Sequence, residues 1–429
     1  MTESKRSGKY QVLIIGGGFG GMYAAKKLRN KEVNVTLIDR RNFHLFQPLL
    51  YQVATGGLSP GDIASPLRVI FNKNKNITIV KDEVVDFEPS SNSVITKRER
   101  IHYDALVLAA GSEHHYFGNN HWAEFAPGLK SIEDAIEIRR RIFEAFELAE
   151  METDPKRQQE LMTFLVIGGG PTGVELAGSI GELAHRTLIR DFRTIHTSRA
   201  KILLVEGGQG IMPSYPEKLS FRAVQSLNRL GVDVLTSCRV VDIDEHGVVI
   251  EEDNRTYNLS AHTVLWAAGV KSSELGKKLA KKTGAETDRS GRIMVGNDLT
   301  LPGHNNIYVI GDLAHVKATD GRPLLGVAPV AMQQGRYVAK SILRKLRNKK
   351  TRPFHYHNHG NLAVIGRNFA LADFTWFRLS GFAAWLVWIF VHIAYLIEFD
   401  NKLLVLVQWA GDYFTRKKGA RLITNEGRK

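Results

Sequence analysis

Two glycine runs carry the first chemistry. Gly16-Gly17-Gly18-Phe19-Gly20-Gly21 follows Val12, Leu13, Ile14 and Ile15, and Gly168-Gly169-Gly170-Pro171-Thr172-Gly173 follows Phe164, Leu165, Val166 and Ile167. In a G-x-G-x-x-G run the first glycine permits a tight turn, the second lets backbone approach a pyrophosphate, and the third lets a helix pack closely on the preceding strand. The phosphates then rest at the helix N-terminus, where free N–H groups and the helix dipole favour negative charge. An acidic residue follows each run: Asp39, with Arg40 beside it, 23 residues after Gly16, and Glu206, 38 residues after Gly168. A carboxylate at such a position accepts both hydrogen bonds of an adenosine ribose diol. At Glu206 it also repels a 2′-phosphate, which favours NADH over NADPH, with Arg199 and Lys201 nearby pulling the other way.

The elements that must hold these residues follow from the pattern around them. Short continuous apolar runs are those of parallel strands buried on both faces, and Ala24, Ala25 and Leu28 recur as on a helix after the first run. A second apolar run over residues 33–38 ends on Asp39, and residues 202–205 lead to Glu206. The order strand, glycine turn, helix, strand, acid appears twice. The expected fold is therefore α/β, with two Rossmann-like dinucleotide-binding domains; two dinucleotides in one chain suit a hydride relay from a nicotinamide to a flavin.

Composition narrows the classes. At 429 residues the chain is long enough for two or three domains, and 43% hydrophobic residues argue against extended disorder. The 58 basic against 44 acidic residues give a formal charge of +14, concentrated late in the chain. Six of the nine residues from Arg344 to Arg352 are Lys or Arg, and Arg416, Lys417, Lys418 and Arg421 cluster further on. Such runs suit an anionic surface; the apolar C-terminal stretch favours a membrane over nucleic acid. Cys238, the single cysteine, allows no intrachain disulfide, no cysteine-built zinc site and no redox dithiol of the glutathione-reductase or sulfide:quinone oxidoreductase kind. It reads as a small buried hydrophobe in a strand over residues 232–243. The polar residues 1–9 carry no signal-peptide pattern, so the bulk of the protein is expected to stay where it is made.

Nearly end to end, the sequence resembles the type II NADH dehydrogenases, single-subunit NADH:quinone oxidoreductases among the two-dinucleotide-binding-domain flavoproteins. The motif Tyr103-Asp104-Ala105-Leu106-Val107-Leu108-Ala109-Ala110-Gly111 resembles the strand and turn closing the first FAD segment, with Ala110 where many relatives have threonine. Val264-Leu265-Trp266-Ala267-Ala268-Gly269 is similar to its counterpart in the NADH domain. Asn306-Ile307-Tyr308-Val309-Ile310-Gly311-Asp312 resembles the second FAD segment. The resemblance implies non-covalent FAD held by Gly16, Gly18, Gly20, Gly21, Asp39, Arg40, Gly111, Gly311 and Asp312. It implies NADH, the co-substrate, held by Gly168, Gly170, Pro171, Thr172, Gly173, Glu206 and Gly269. The domains expected are a discontinuous FAD domain over 8–120 and 300–345, an inserted NADH domain over 121–299, and a membrane-attachment region over 346–429.

The same resemblance marks catalytic candidates. Gln333, in Ala328-Pro329-Val330-Ala331-Met332-Gln333-Gln334-Gly335, matches a glutamine at the quinone end of the flavin, while Pro329 stands where many relatives have another glutamine. An amide there donates to a quinone carbonyl without titrating; a glutamine tied to backbone is the plain alternative. Glu175 resembles a glutamate near the nicotinamide–flavin contact, either a proton relay for quinol formation or a favourable charge in a helix's first turn. The segment Phe43-His44-Leu45-Phe46-Gln47-Pro48-Leu49-Leu50-Tyr51-Gln52 is open between a loop beside the flavin and ordinary core. His355, His357 and His359 would share one face of a strand, but with no flanking carboxylate or cysteine no metal site is expected.

From Phe382 to Ile397 only His392 is polar. As a helix these sixteen residues reach about 24 Å, short of the roughly 30 Å of a hydrocarbon core. Trp385, Trp388, His392 and Tyr395 fall within an arc of about 80°, as on a helix lying at a membrane interface, although a face packed on protein has the same pattern. Apolar residues 403–407, then Trp409 and Tyr413, suggest a second amphipathic helix and monotopic attachment to the cytoplasmic face of the cell membrane. No bundle of spans is present for pumping ions. An exposed apolar tail also suits a homodimer. Two rivals stay open: a soluble reductase passing electrons to a small redox protein, which should lack this tail, and a dinucleotide sensor without turnover.

Overall fold

The computed structural model describes residues 8–318, 321–374, 376–396, 399–415 and 419–424. Two compact units divide the chain: one takes the described residues of 1–45, 64–113 and 270–357, the other those of 46–63, 114–269 and 358–429.

The first unit is built on a six-stranded sheet. Its order runs Thr300–Leu301, His304–Val309, Ala105–Leu108, Tyr10–Ile15, Val33–Asp39, Ile77–Lys81, and all neighbours are parallel except the first pair. The central strand Tyr10–Ile15 has four consecutive buried residues, as burial on both faces demands. It leads into the helix Phe19–Leu28, against which the helix Ala328–Lys345 packs. Contact is close enough that a Cβ on Gly335 would collide with the carbonyl of Gly20. Residues 270–299, expected in the inserted domain, belong here because Leu279, Ala280 and Ile293 share a core with Leu13, Ile15 and Val309.

The second unit repeats the plan. Four parallel strands run in the order Val232–Leu235, Lys201–Val205, Thr163–Ile167, Thr263–Trp266, and the helix Pro171–Glu182 follows the central one. Cys238 is buried, as expected, but between the strands Val232–Leu235 and Arg239–Asp244 rather than inside one long strand. The same unit holds the three-stranded sheet Asn361–Val364, Ala370–Asp373, Arg378–Gly381 and the helices Phe382–Tyr395 and Phe399–Thr415. No described helix is long and apolar enough to cross a membrane.

Candidate active site

In the first unit the glycines divide by what surrounds them. A Cβ on Gly21 would collide with the carbonyl oxygen of Gly16, and one on Gly20 would press on Ile310 at 3.0 Å, so both are needed for packing. A Cβ on Gly18 meets nothing within 4 Å. Gly18 caps the helix Phe19–Leu28 without a side-chain hydrogen bond, which leaves space and donors at the helix start, the shape a pyrophosphate needs. Asp39 closes the cradle. Its Oδ2 accepts from Gly17 N at 2.6 Å and its Oδ1 from Arg41 N at 2.7 Å, while burial raises its pKa against those bonds and the charges of Arg41 and the exposed Arg40. Each carboxylate oxygen keeps accepting capacity for a ribose hydroxyl.

Behind that cradle stand residues the sequence did not single out. His44, 1% exposed, bonds Gly17 O through Nδ1 at 2.8 Å and sets its ring edge-on to Phe19. Burial lowers its pKa to about 4, so the ring is neutral and its buried Nε2, which has no partner among the described residues, is an acceptor. Across the sheet Gly311 and Asp312 begin a short turn after the strand His304–Val309. Ser112 Oγ, next to Gly111, donates to Asp312 Oδ2 at 2.5 Å, and Gly311 N donates to the buried Gln334 Oε1 at 2.6 Å. Gly111 opens onto free space. The residues Gly16, Gly18, Asp39, Gly111, Gly311 and Asp312 thus lie at the C-terminal ends of adjacent parallel strands, where such sheets bind dinucleotides.

The second unit repeats the two bonds that fix the carboxylate. Glu206 Oε2 accepts from Gly169 N at 2.6 Å and Oε1 from Gly208 N at 2.7 Å. Gly173 is pressed against the carbonyl of Gly168, a Cβ on Gly170 meets nothing, and Pro171 and Thr172 are exposed at the helix start. Gly269 lies on the neighbouring strand's exit, where His115 N donates to its carbonyl at 3.4 Å.

Glu175 is the fifth residue of the helix Pro171–Glu182, past the first turn that the dipole reading required. Its Oε1 accepts from Val364 N at 3.4 Å, and burial pushes its pKa up to about 8. Tyr51 and Tyr215 stand near enough that the Glu175 charge adds to the effect of burial in raising both phenols. A cavity of about 620 Å³ opens beside this helix, walled by Tyr51, Ser179, Glu182, Val364 and the indoles of Trp385 and Trp388 among others.

Gln333 has backbone partners. Its Nε2 donates to His357 O at 2.8 Å and its Oε1 accepts from His357 N at 3.0 Å, which leaves one amide N–H by count. Residues 351–360, including His355, His357 and His359, form no strand, and among the described residues no three His, Cys, Asp or Glu side chains are grouped to hold a metal.

The C-terminal helices bear on an alternative that the sequence left open. Trp388 is 2% exposed and stacks on His392 and Trp409, and Trp409 Nε1 donates to Gln52 Oε1 at 2.8 Å. The ring-bearing arc therefore packs mainly on protein, with only Tyr395 well exposed, because the Trp388 indole finds ring-stacking partners there. The exposed apolar face is Phe382, Leu386 and Phe390, joined by Leu403, Leu404, Leu406 and Val407 of the last helix. Arg416, Lys417 and Lys418 lie outside the described residues, as does the side chain of Tyr413.

The pyridine nucleotide-disulphide oxidoreductase family matches residues 10–335, and the NDH2 C-terminal domain matches residues 358–418. The chain is 42% identical to the type II NADH:quinone oxidoreductase Ndh of Mycobacterium tuberculosis, over 97% of this chain and 91% of that one. Its fold superimposes on NDH2 of Plasmodium falciparum solved with NADH, with a TM-score of 0.88 at 20% identity, covering 96% and 99% of the two chains. It also superimposes on the sulfide:quinone oxidoreductase of Aquifex aeolicus, with a TM-score of 0.72 at 19% identity, covering 97% and 93%. Paired glycine cradles, each closed by a carboxylate, and sequence identity along almost the whole length lead to one placement: the chain belongs to the type II NADH:quinone oxidoreductases.

Proposed function

We propose that this protein oxidises NADH and reduces a membrane quinone, with FAD in the cradle of Gly18, Asp39 and Asp312 and NADH in the cradle of Gly170 and Glu206. The observation that carries the reading is the repeated cradle, in which an open glycine at a helix start follows a glycine whose N–H, with a second backbone N–H, fixes a carboxylate. FAD, when bound, supplies the two-electron chemistry that links hydride donation by NADH to quinone reduction.

The chain's own residues supply the rest. Asp39 and Glu206 orient the two adenosine riboses, and the helix starts after Gly18 and Gly170 hold the phosphates. Glu206 sets the preference for NADH by opposing a 2′-phosphate. Glu175 holds a proton at neutral pH because burial disfavours its charge, and that proton is available to a quinone oxygen. Gln333 keeps one N–H that suits a quinone carbonyl. Since NADH plus quinone plus one proton gives NAD+ plus quinol, every turnover draws one proton from water.

The exposed apolar residues Phe382, Leu386, Phe390 and Val407 suit attachment to a lipid surface by burial in the interface, and a second copy of the chain is the other cover that would suit them. Attachment is to the cytoplasmic face, where NADH is made. An anaerobic flavin spectrum tests the reading: NADH should bleach the flavin, and a short-chain quinone should restore it. Bleaching without recovery would overturn quinone as the acceptor.

A further inference from the structure

We infer that the cavity beside the helix Pro171–Glu182 is the proton entrance of the enzyme, with Glu182 and Ser179 relaying protons from solvent to Glu175. The inference rests on the reading of Glu175 as the donor to quinone.

The spacing comes first. Glu175, Ser179, Glu182 and Arg186 follow one another at intervals of four, three and four residues, which places them along one helical face. The helix continues from Glu182 into a π turn, Leu183–Thr187, a widened turn of the kind found at functional sites. Along this face Arg186 is exposed, Glu182 intermediate and Ser179 buried at 6%, and Glu175 beyond it is intermediate. Arg186, Glu182 and Ser179 all line the 620 Å³ cavity.

The cavity also reaches the immediate neighbours of Glu175. Val364, whose N–H donates to Glu175 Oε1, forms part of its wall, and so does Tyr51. Tyr51 feels the charge of Glu175 and, more weakly, that of Glu182, so it lies near both carboxylates. From Glu175 to Glu182 the helix rises about 10 Å, and Ser179 divides this into two steps of about 5–6 Å, each within reach of one bridging water. Trp388, whose buried Nε1–H has no acceptor among the described residues, lines the same space, and a buried donor beside the polar groups of Ser179, Glu182 and Thr187 is matched to water. Arg186 and Arg367 add positive charge to the wall, and Glu182 is the acidic group among them that can accept a proton.

The proton balance is simple. Glu175 gives its carboxyl proton to a quinone oxygen and becomes a carboxylate. A water held by the Ser179 hydroxyl returns a proton to it, and the Glu182 carboxylate takes a proton from solvent and passes it to that water. No electron moves along this path.

The test reads the carboxyl directly. In the FAD-loaded, oxidised protein the Glu175 C=O stretch is followed by infrared spectroscopy after mixing into heavy water, with Glu175→Gln identifying the band. Ser179→Val fills the floor of the path; Glu182→Gln keeps the side-chain volume and removes the titrating group, which covers the case in which the valine protein fails to fold. Exchange of the band slowed roughly tenfold or more in both folded variants is the expected result. A band that exchanges as fast in Glu182→Gln as in the parent overturns the entrance while leaving Glu175 as donor. Absence of any band sensitive to Glu175→Gln overturns the donor reading and the entrance with it. A rise in quinone KM with unchanged exchange would also overturn the entrance, by showing that the cavity serves the quinone instead.

Discussion

Gln334 Oε1 accepts the backbone N–H of Gly311 at 2.6 Å from a side chain that is 1% exposed. This bond ties the helix Ala328–Lys345 to the turn that presents Asp312. Replacing Gln334 by leucine leaves the Gly311 N–H without its acceptor, which costs about 1–3 kcal/mol. The variant should melt at a lower temperature and purify with less flavin, read from the 450 to 280 nm absorbance ratio. Gln333→Ala should keep its flavin and raise the KM for quinone. A Gln334→Leu protein with full flavin content would show that the turn holds its shape unaided.

Gly18 and Gly21 should respond in opposite ways to the same substitution. A methyl group on Gly21 collides with Gly16 O and forces helix and strand apart, so Gly21→Ala should fold poorly or not at all. At Gly18 the backbone angles suit any residue and the methyl meets only open space. Gly18→Ala should therefore give a folded protein, by circular dichroism, that has lost FAD affinity. Equal FAD affinity in Gly18→Ala and the parent would remove the pyrophosphate from that position.

Glu175 predicts a pH limb. Its pKa rises from 4.5 to about 8, so the carboxyl is protonated at pH 7 and ionises as pH passes about 8. Quinone reduction by the NADH-bleached enzyme should be level below that pH and fall above it. Glu175→Gln should abolish the limb and slow this half-reaction by roughly a hundredfold or more, with flavin bleaching by NADH unaltered. The stability sign follows from the same shift. The folded state binds this proton more tightly than the unfolded one, so the contribution is full below about 4.5 and is lost as pH rises through about 8. The melting temperature of the parent, measured relative to Glu175→Gln, should fall across that window.

Legibility in the sequence tracked locality. The two cradles could be read because strand, glycine turn and helix are contiguous and each glycine has a fixed task. Gln334 could not, because positions 333 and 334 differ by one step around a helix and only packing against the strand His304–Val309 and its turn tells them apart. His44 was quoted within a segment left open between flavin loop and core; its bond to Gly17 O joins residues far apart in sequence. The cavity draws on residues near 51–57, 179–187 and 364–368, together with the C-terminal helices, and no local pattern announces such a meeting. On the helix Phe382–Tyr395 the amphipathic rings were legible as a face, but an indole serves a protein groove as well as a lipid interface, so the pattern could not say which side met protein.

Membrane attachment can now be separated from packing on that one helix. Phe382, Leu386 and Phe390 repeat every fourth residue, and Phe390 is 75% exposed, whereas Trp388 is 2% exposed against Trp409 and His392. Changing the three outer residues to serine removes the exposed apolar area of this face. The triple variant should keep its melting temperature and its bleaching by NADH, and should sediment with anionic vesicles roughly tenfold less or worse. Trp388→Ala should do the reverse, lowering the melting temperature by opening the buried stack while leaving vesicle binding near that of the parent. If the triple variant sediments like the parent but elutes as a smaller species, the outer face joins two copies of the chain, and the lipid contact must be sought on the helix Phe399–Thr415.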